Sequence, residues 1–315
     1  MAWRSIAILF VLLLGTLPFS LQAQVDAADP PVIDVHMHSP IRPGPVEDLV
    51  PDLESWIERV DRLNVRMSVV SGLPDVLASW QAMAGDRFIP SLLFPCENGV
   101  AVNWGRPCFE DGGDWPDIAQ LRTDIEVGRV QGLGEITTQY LGLDPSDPLM
   151  EPYFALAEEY DLPVFIHMGP GPPYSAYEEN PFAVGAPNYR ARAGNPLLLE
   201  EALVKHPAVR VAVLHAGWPL ADEMVFMLYQ HPQVYAEMGL LQHVDFFPRA
   251  EYYSFLRRLV GAGFADRILF GSDTLIEDGI SAVLEADFLT DEQKEAILCK
   301  NAARFLRLGE EICSR

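Results

Sequence analysis

The sequence predicts a closed (β/α)8 TIM barrel, a single α/β domain with long loops at its C-terminal face. Three observations predict it. Short apolar runs alternate with helix-like segments eight times. The runs are mostly apolar, as expected of parallel strands buried on both faces. Several of them end in a chemically useful side chain, which is where barrel enzymes place their sites. The runs cover residues 32–37, 67–71, 88–94, 130–136, 163–168, 209–216, 234–239 and 267–273. The helical patterns cover 52–63, 75–84, 116–128, 150–160, 196–205, 219–230, 251–262 and 291–306. A doubly wound open sheet is the alternative, but no GxGxxG follows the first run. A chain of 315 residues that is 49% hydrophobic can fill one barrel of this kind.

The N-terminus reads as a secretory signal over residues 1–23, leaving a single barrel domain over 24–315. Arg4 supplies the basic start, residues 6–14 are apolar, and Leu21-Gln22-Ala23 offers a small-residue exit. The apolar run is short for a membrane span, although an uncleaved anchor is the competing reading. The expected location is therefore the periplasm or the exterior. Removing the signal takes away one basic residue and changes the net charge from -23 to -24. This acidity argues against nucleic acid or an anionic membrane surface as partner. It leaves room for a small-molecule substrate held by one or two local arginines, and it leaves homo-oligomerisation open.

Four cysteines allow three pairings, and an exported chain can keep disulfides. The two shortest closures are Cys96–Cys108 and Cys299–Cys313, with free or buried thiols as the other reading. Two long segments, 95–115 and 169–195, leave the carboxyl ends of runs three and five. Long loops of this kind are often lids or binding loops. Aromatic side chains in the loops, among them Trp104, Tyr174, Tyr189 and Phe246, suggest a partly apolar pocket.

The chemistry gathers at the run ends. The first run ends in His36 and His38, which alternate to one face of a strand. Run four ends in Glu135, run five in His167, run six in His215 and run eight in Asp273. Asp34 points the same way but deeper, where it could orient a ligand or serve as a buried structural carboxylate. Of the seven histidines, His206 and His231 precede proline near helix ends and read as structural caps.

These stretches resemble the amidohydrolase superfamily, in particular its amidohydrolase-related branch that includes aminocarboxymuconate-semialdehyde decarboxylase-like enzymes. The matching motifs are Ile33-Asp34-Val35-His36-Met37-His38, Leu214-His215-Ala216-Gly217, Arg267-Ile268-Leu269-Phe270-Gly271-Ser272-Asp273 and Asn301-Ala302-Ala303-Arg304-Phe305-Leu306. The resemblance implies a (β/α)8 barrel with a divalent metal, usually zinc. Carried over, His36, His38, His167 and Asp273 would be ligands. His215 would bond substrate or the reactive water, or bind a second ion. Gly132-Leu133-Gly134-Glu135-Ile136 looks more like the related deoxyribonuclease-type metal hydrolases, in which such a glutamate is a ligand. The expectation is one metal, with Glu135 as ligand or bridge and a second ion left open.

A metal-dependent hydrolase acting on an amide, lactone or ester leads the functional expectations, with Asp273 moving the proton and His215 stabilising an oxyanion. Non-oxidative decarboxylation is the alternative. It needs a substrate carboxylate pinned by arginine, for which Arg42, Arg190 and Arg192 are candidates. A catalytically silent metal-binding protein is the third reading.

Overall fold

The computed structural model describes residues 30–39, 50–96, 108–109, 112–177 and 186–314. The signal-like segment, Arg42, and parts of the loops after the first, third and fifth strands lie outside these residues. Eight strands form one parallel sheet in sequential order. They are β1 (Val32–His38), β2 (Val65–Gly72), β3 (Phe88–Phe94), β4 (Gly132–Ile136), β5 (Pro163–His167), β6 (Arg210–Leu214), β7 (Val234–Glu237) and β8 (Ile268–Leu269). The sheet curls back on itself: Val35 N–H donates to the Phe270 carbonyl at 3.0 Å, and Asp273 N–H to the His36 carbonyl at 2.7 Å. The barrel expected from the sequence is thus the observed fold.

Helices α1 (Val50–Arg62), α2 (Pro74–Ala84), α3 (Ile118–Glu126), α4 (Glu151–Glu159), α5 (Glu200–Lys205), α6 (Ala221–Gln230) and α7 (Arg249–Gly261) follow strands one to seven. After β8 the structure departs from expectation. A helix α8 (Ile276–Leu284) comes first, and only then α9 (Asp291–Glu295), a π-helical turn (Ala296–Lys300) and α10 (Asn301–Leu306). Gly279 in its middle, a poor helix former, and the lack of a side-chain cap at Leu275 leave α8 weakly marked in the sequence. Packing decides for helix here: Ile276, Ile280, Ala282 and Val283 are all fully buried. The start of α9 follows local chemistry, with Thr290 and Gln293 forming a reciprocal capping box.

The main core lies between the strands and the helix layer, with Trp56, Trp80, Phe94, Phe154 and Tyr252 among its large members. A second cluster joins Phe165, Val69 and Ala212 to Phe305 of α10. Phe165 shares a strand face with His167 and meets Phe305 edge-on at 5.7 Å between ring centres. An apolar floor therefore lies beneath the histidine. Both expected cysteine pairs are disulfide-bonded, with Cα separations of 6.3 Å for Cys96–Cys108 and 5.8 Å for Cys299–Cys313. Among the described residues, no helix is long and apolar enough to cross a membrane.

Candidate active site

All six site residues expected at strand ends meet at one mouth of the barrel. His36 is 1% exposed, and its Nδ1 lies 3.0 Å from Glu237 Oε2. That contact turns its Nε2 toward Glu135 Oε1 and Asp273 Oδ1, each 3.8 Å away. His38 Nε2 stands 3.4 Å from Glu135 Oε2 and 3.3 Å from Asp273 Oδ1. Glu135 also reaches His167 Nδ1 at 2.7 Å and His215 Nε2 at 3.6 Å, so this one carboxylate faces all four imidazoles. His215 Nε2 is 3.2 Å from His167 Nδ1.

Backbone shape puts two of these groups in place. His215 and Ala216 adopt positive φ (57° and 50°), as do Asp273 and Thr274 (47° and 74°). Non-glycine residues there cost about 1–3 kcal/mol each and persist only when their surroundings hold them. The turn at His215 is held by Gly217 N–H on the Met168 carbonyl at 2.7 Å and Trp218 N–H on the His215 carbonyl at 2.9 Å. At Asp273 the holder is Asp34. Its carboxylate accepts from Ser272 Oγ at 2.6 Å, Ser272 N–H at 2.9 Å and His36 N–H at 3.1 Å. Asp34 thus pins the β1–β8 seam and contacts no imidazole ring, which is the structural-carboxylate reading of that residue. Burial raises its pKa to about 6, against the pull of the Ser272 hydroxyl.

Burial and the facing carboxylates set the electrostatics of the mouth. Burial disfavours charge on His36, yet Asp273, Glu237 and Glu135 outweigh it and push its pKa up to about 10. Burial works against ionised Asp273 as well, but His36 and His38 hold it well below the usual carboxylate range. Glu135 is likewise lowered, through His167, despite burial. Burial lowers His167, while His215 is raised by Glu135 and Asp273 despite burial. Buried charges this dense need compensation. Nε2 of His36 and Nε2 of His167 are buried without a hydrogen-bond partner.

A divalent ion fits these facts. A tetrahedron with ligands at about 2.0–2.1 Å has edges of about 3.4 Å; Asp273 Oδ1 lies 3.8 Å from His36 Nε2 and 3.3 Å from His38 Nε2, while Glu135 meets His36 through Oε1 at 3.8 Å and His38 through Oε2 at 3.4 Å. Two three-donor groups emerge: His36, His38 and Asp273, and His36, Glu135 and His215. His167 stands beside Glu135 but belongs to neither.

Of the arginine candidates, the two in the described residues are bonded to other groups. Arg190 donates to the Pro187 and Tyr189 carbonyls, and Arg192 pairs with Asp144 at 2.7 Å on the surface. Arg42 lies outside the described residues. Sequence reasoning missed Glu237, a wholly buried carboxylate that ends β7 and so carried the same strand-end signal as the others. It also missed Tyr140, whose ring lies 5.1 Å from His167, and Gln139, which holds the loop after β5 by bonding both Gly169 N–H and the Gly169 carbonyl. Both sit in a short 3-10 turn (Thr138–Leu141) that has no sequence signature.

Barrel and donor cluster together define the class: an enzyme of the metal-dependent (β/α)8 type. The chain belongs to the amidohydrolase family, whose model matches residues 111–308. No curated protein matches. Solved structures do. 4-Oxalomesaconate hydratase from Rhodopseudomonas palustris is 14% identical with a TM-score of 0.58, over 88% of this chain and 95% of that one. 5-Carboxyvanillate decarboxylase from Sphingomonas paucimobilis is 13% identical, TM-score 0.58, over 89% and 100%. A probable 2-pyrone-4,6-dicarboxylic acid hydrolase from Acinetobacter baumannii is 16% identical, TM-score 0.57, over 88% and 99%. At these identities the likeness shows the fold alone.

Proposed function

We propose that this protein is a metal-dependent hydrolase acting on an amide, lactone or ester bond of a small molecule, after export and removal of residues 1–23. The observation that carries the reading is the buried convergence of His36, His38 and Asp273, whose donor atoms lie close enough to share one cation, with Glu135 beside them. Zinc suits a histidine–carboxylate donor set, and when bound it would polarise a carbonyl and lower the pKa of water from 15.7 to about 7.

The chain's own groups divide the remaining work. Asp273 is the cluster's most open member, its side chain 20% exposed against 9% or less for the imidazoles and Glu135. It is placed to take a proton and return it to a leaving group. His215 Nδ1 donates to the Gly239 carbonyl at 3.0 Å. Its Nε2 therefore carries a proton only in the doubly protonated ring, and in that form the N–H would support an oxyanion. The apolar floor limits competing water. The two disulfides suit an oxidising compartment.

Decarboxylation is the second reading, since the solved structures of this fold include a 5-carboxyvanillate decarboxylase. It needs a cationic anchor for the substrate carboxylate; among the described candidates, Arg190 and Arg192 are bonded to other groups. Metal analysis followed by a panel of lactones, esters, amides and aromatic carboxylates tests the proposal. Proton release with an alcohol or amine product supports it. Carbon dioxide release would replace it with the lyase, and stoichiometric metal without turnover would leave a binding protein.

A further inference from the structure

The geometry points to Glu237 as the positioning residue that sets which nitrogen of His36 faces the metal. This inference rests on the metal-centre reading above. Glu237 ends β7 and is completely buried. Three N–H groups meet its two oxygens: His36 Nδ1 at 3.0 Å and His215 backbone N–H at 3.3 Å on Oε2, and Gly239 backbone N–H on Oε1. Backbone N–H groups can only donate, so both oxygens are already committed as acceptors. A proton on His36 Nδ1 completes the pattern. In the neutral ring that a metal ion would bind, Nε2 then carries the lone pair on the side of Asp273 and Glu135, and it is the atom that has no partner of its own.

The backbone makes room for this contact from two sides. A Cβ at Gly239 would stand 2.6 Å from Glu237 Oε1 and 3.2 Å from His36 Nδ1. A Cβ at Gly271 would stand 2.6 Å from both Glu237 Cδ and His36 Cβ. Only glycine permits such an approach. Because Glu237 also holds the His215 backbone, one carboxylate fixes a ligand from β1 and the start of the turn after β6. Carboxylates that orient a ligating histidine fix its tautomer and typically contribute 10–100-fold in metal affinity.

The test compares wild type with Glu237→Gln, which keeps the size but sets an amide NH2 against one of the three donors. Zinc affinity is read by competition with a chromophoric chelator, and folding by melting of the metal-free protein. The expected result is zinc binding about 10–100-fold weaker in a folded variant. Wild-type affinity in a folded Glu237→Gln would overturn the assignment. Should that variant not fold, wild type labelled with 15N-histidine decides. A hydrogen-bonded Nδ1–H signal of His36 that persists when zinc is added supports the assignment. Loss of the Nδ1 proton on zinc addition refutes it. If wild type takes up no zinc, the metal-centre reading fails by itself. The Nδ1–H signal in the metal-free protein then still supports the Glu237 contact if present and refutes it if absent.

Discussion

Histidine meets glutamate at two places in this molecule, with opposite consequences. At the rim, His206 caps α5 with Nδ1 3.1 Å from Glu158 and Nε2 3.3 Å from Glu151, its ring stacked on Phe154. His231 caps α6 beside Glu200 at 3.3 Å. These glutamates are 31–49% exposed, so water screens their charge and such pairs add little. At the mouth, Glu135 and Glu237 are 9% and 0% exposed. Burial keeps most water from these groups, so their charges act on one another more strongly than at the rim. His206 has both nitrogens answered, whereas His36 and His167 each keep a buried nitrogen with no partner. The pairing itself therefore carries no function. Unsatisfied donors converging under exclusion of water do.

The sharpest break in this contrast is His36→Ala. Metal and activity should disappear together, with turnover down at least about a thousandfold, from the several kcal/mol that a Lewis acid supplies. Full metal occupancy in that variant would remove His36 from the ligand set. Next comes Asp273→Asn, expected to lower kcat by about 10^2–10^4-fold with the melting transition still cooperative. Near-normal turnover would end its role as proton carrier.

On the rim, His206→Ala should leave kcat/KM untouched. It should lower stability by about 1–2 kcal/mol, read as a fall of a few degrees in Tm. A loss of activity there would erase the distinction between the two regions. The smallest effect concerns the Arg59–Glu277 contact between α1 and α8, with Nε to Oε2 at 2.8 Å. Burial opposes charge on Glu277, but Arg59 lowers its pKa below the ordinary 4.5. Its contribution, below about 1 kcal/mol, is present above pH 4.5 and lost as pH falls through the lowered native value. Urea unfolding of Glu277→Gln should show a shallower acid decline than wild type; an identical decline would deny the linkage.

The barrel was legible because two-sided burial writes long apolar runs into the sequence, and those runs punctuate it eight times. The mouth was legible because His36, His38, Glu135, His167, His215 and Asp273 each interrupt or end an apolar run. Glu237 could have been found by the same rule applied to Val234-Tyr235-Ala236-Glu237. Helix α8 was hidden because Gly279 interrupts it and no capping side chain announces it, while tertiary burial makes it helical. The bonding of Arg190 and Arg192 was not legible at all, since neighbouring carbonyls and Asp144 capture them only once the loop after β5 has folded. Tyr140 was hidden for a similar reason: it lies next to His167 through the shape of a turn.

Soaking crystals with zinc and recording anomalous scattering at the zinc edge tests the central claim most directly. The account predicts one strong peak within about 2.0–2.2 Å of His36 Nε2, His38 Nε2 and Asp273 Oδ1. A mouth that stays empty while zinc binds elsewhere, or a peak held by His36 Nδ1, would contradict it.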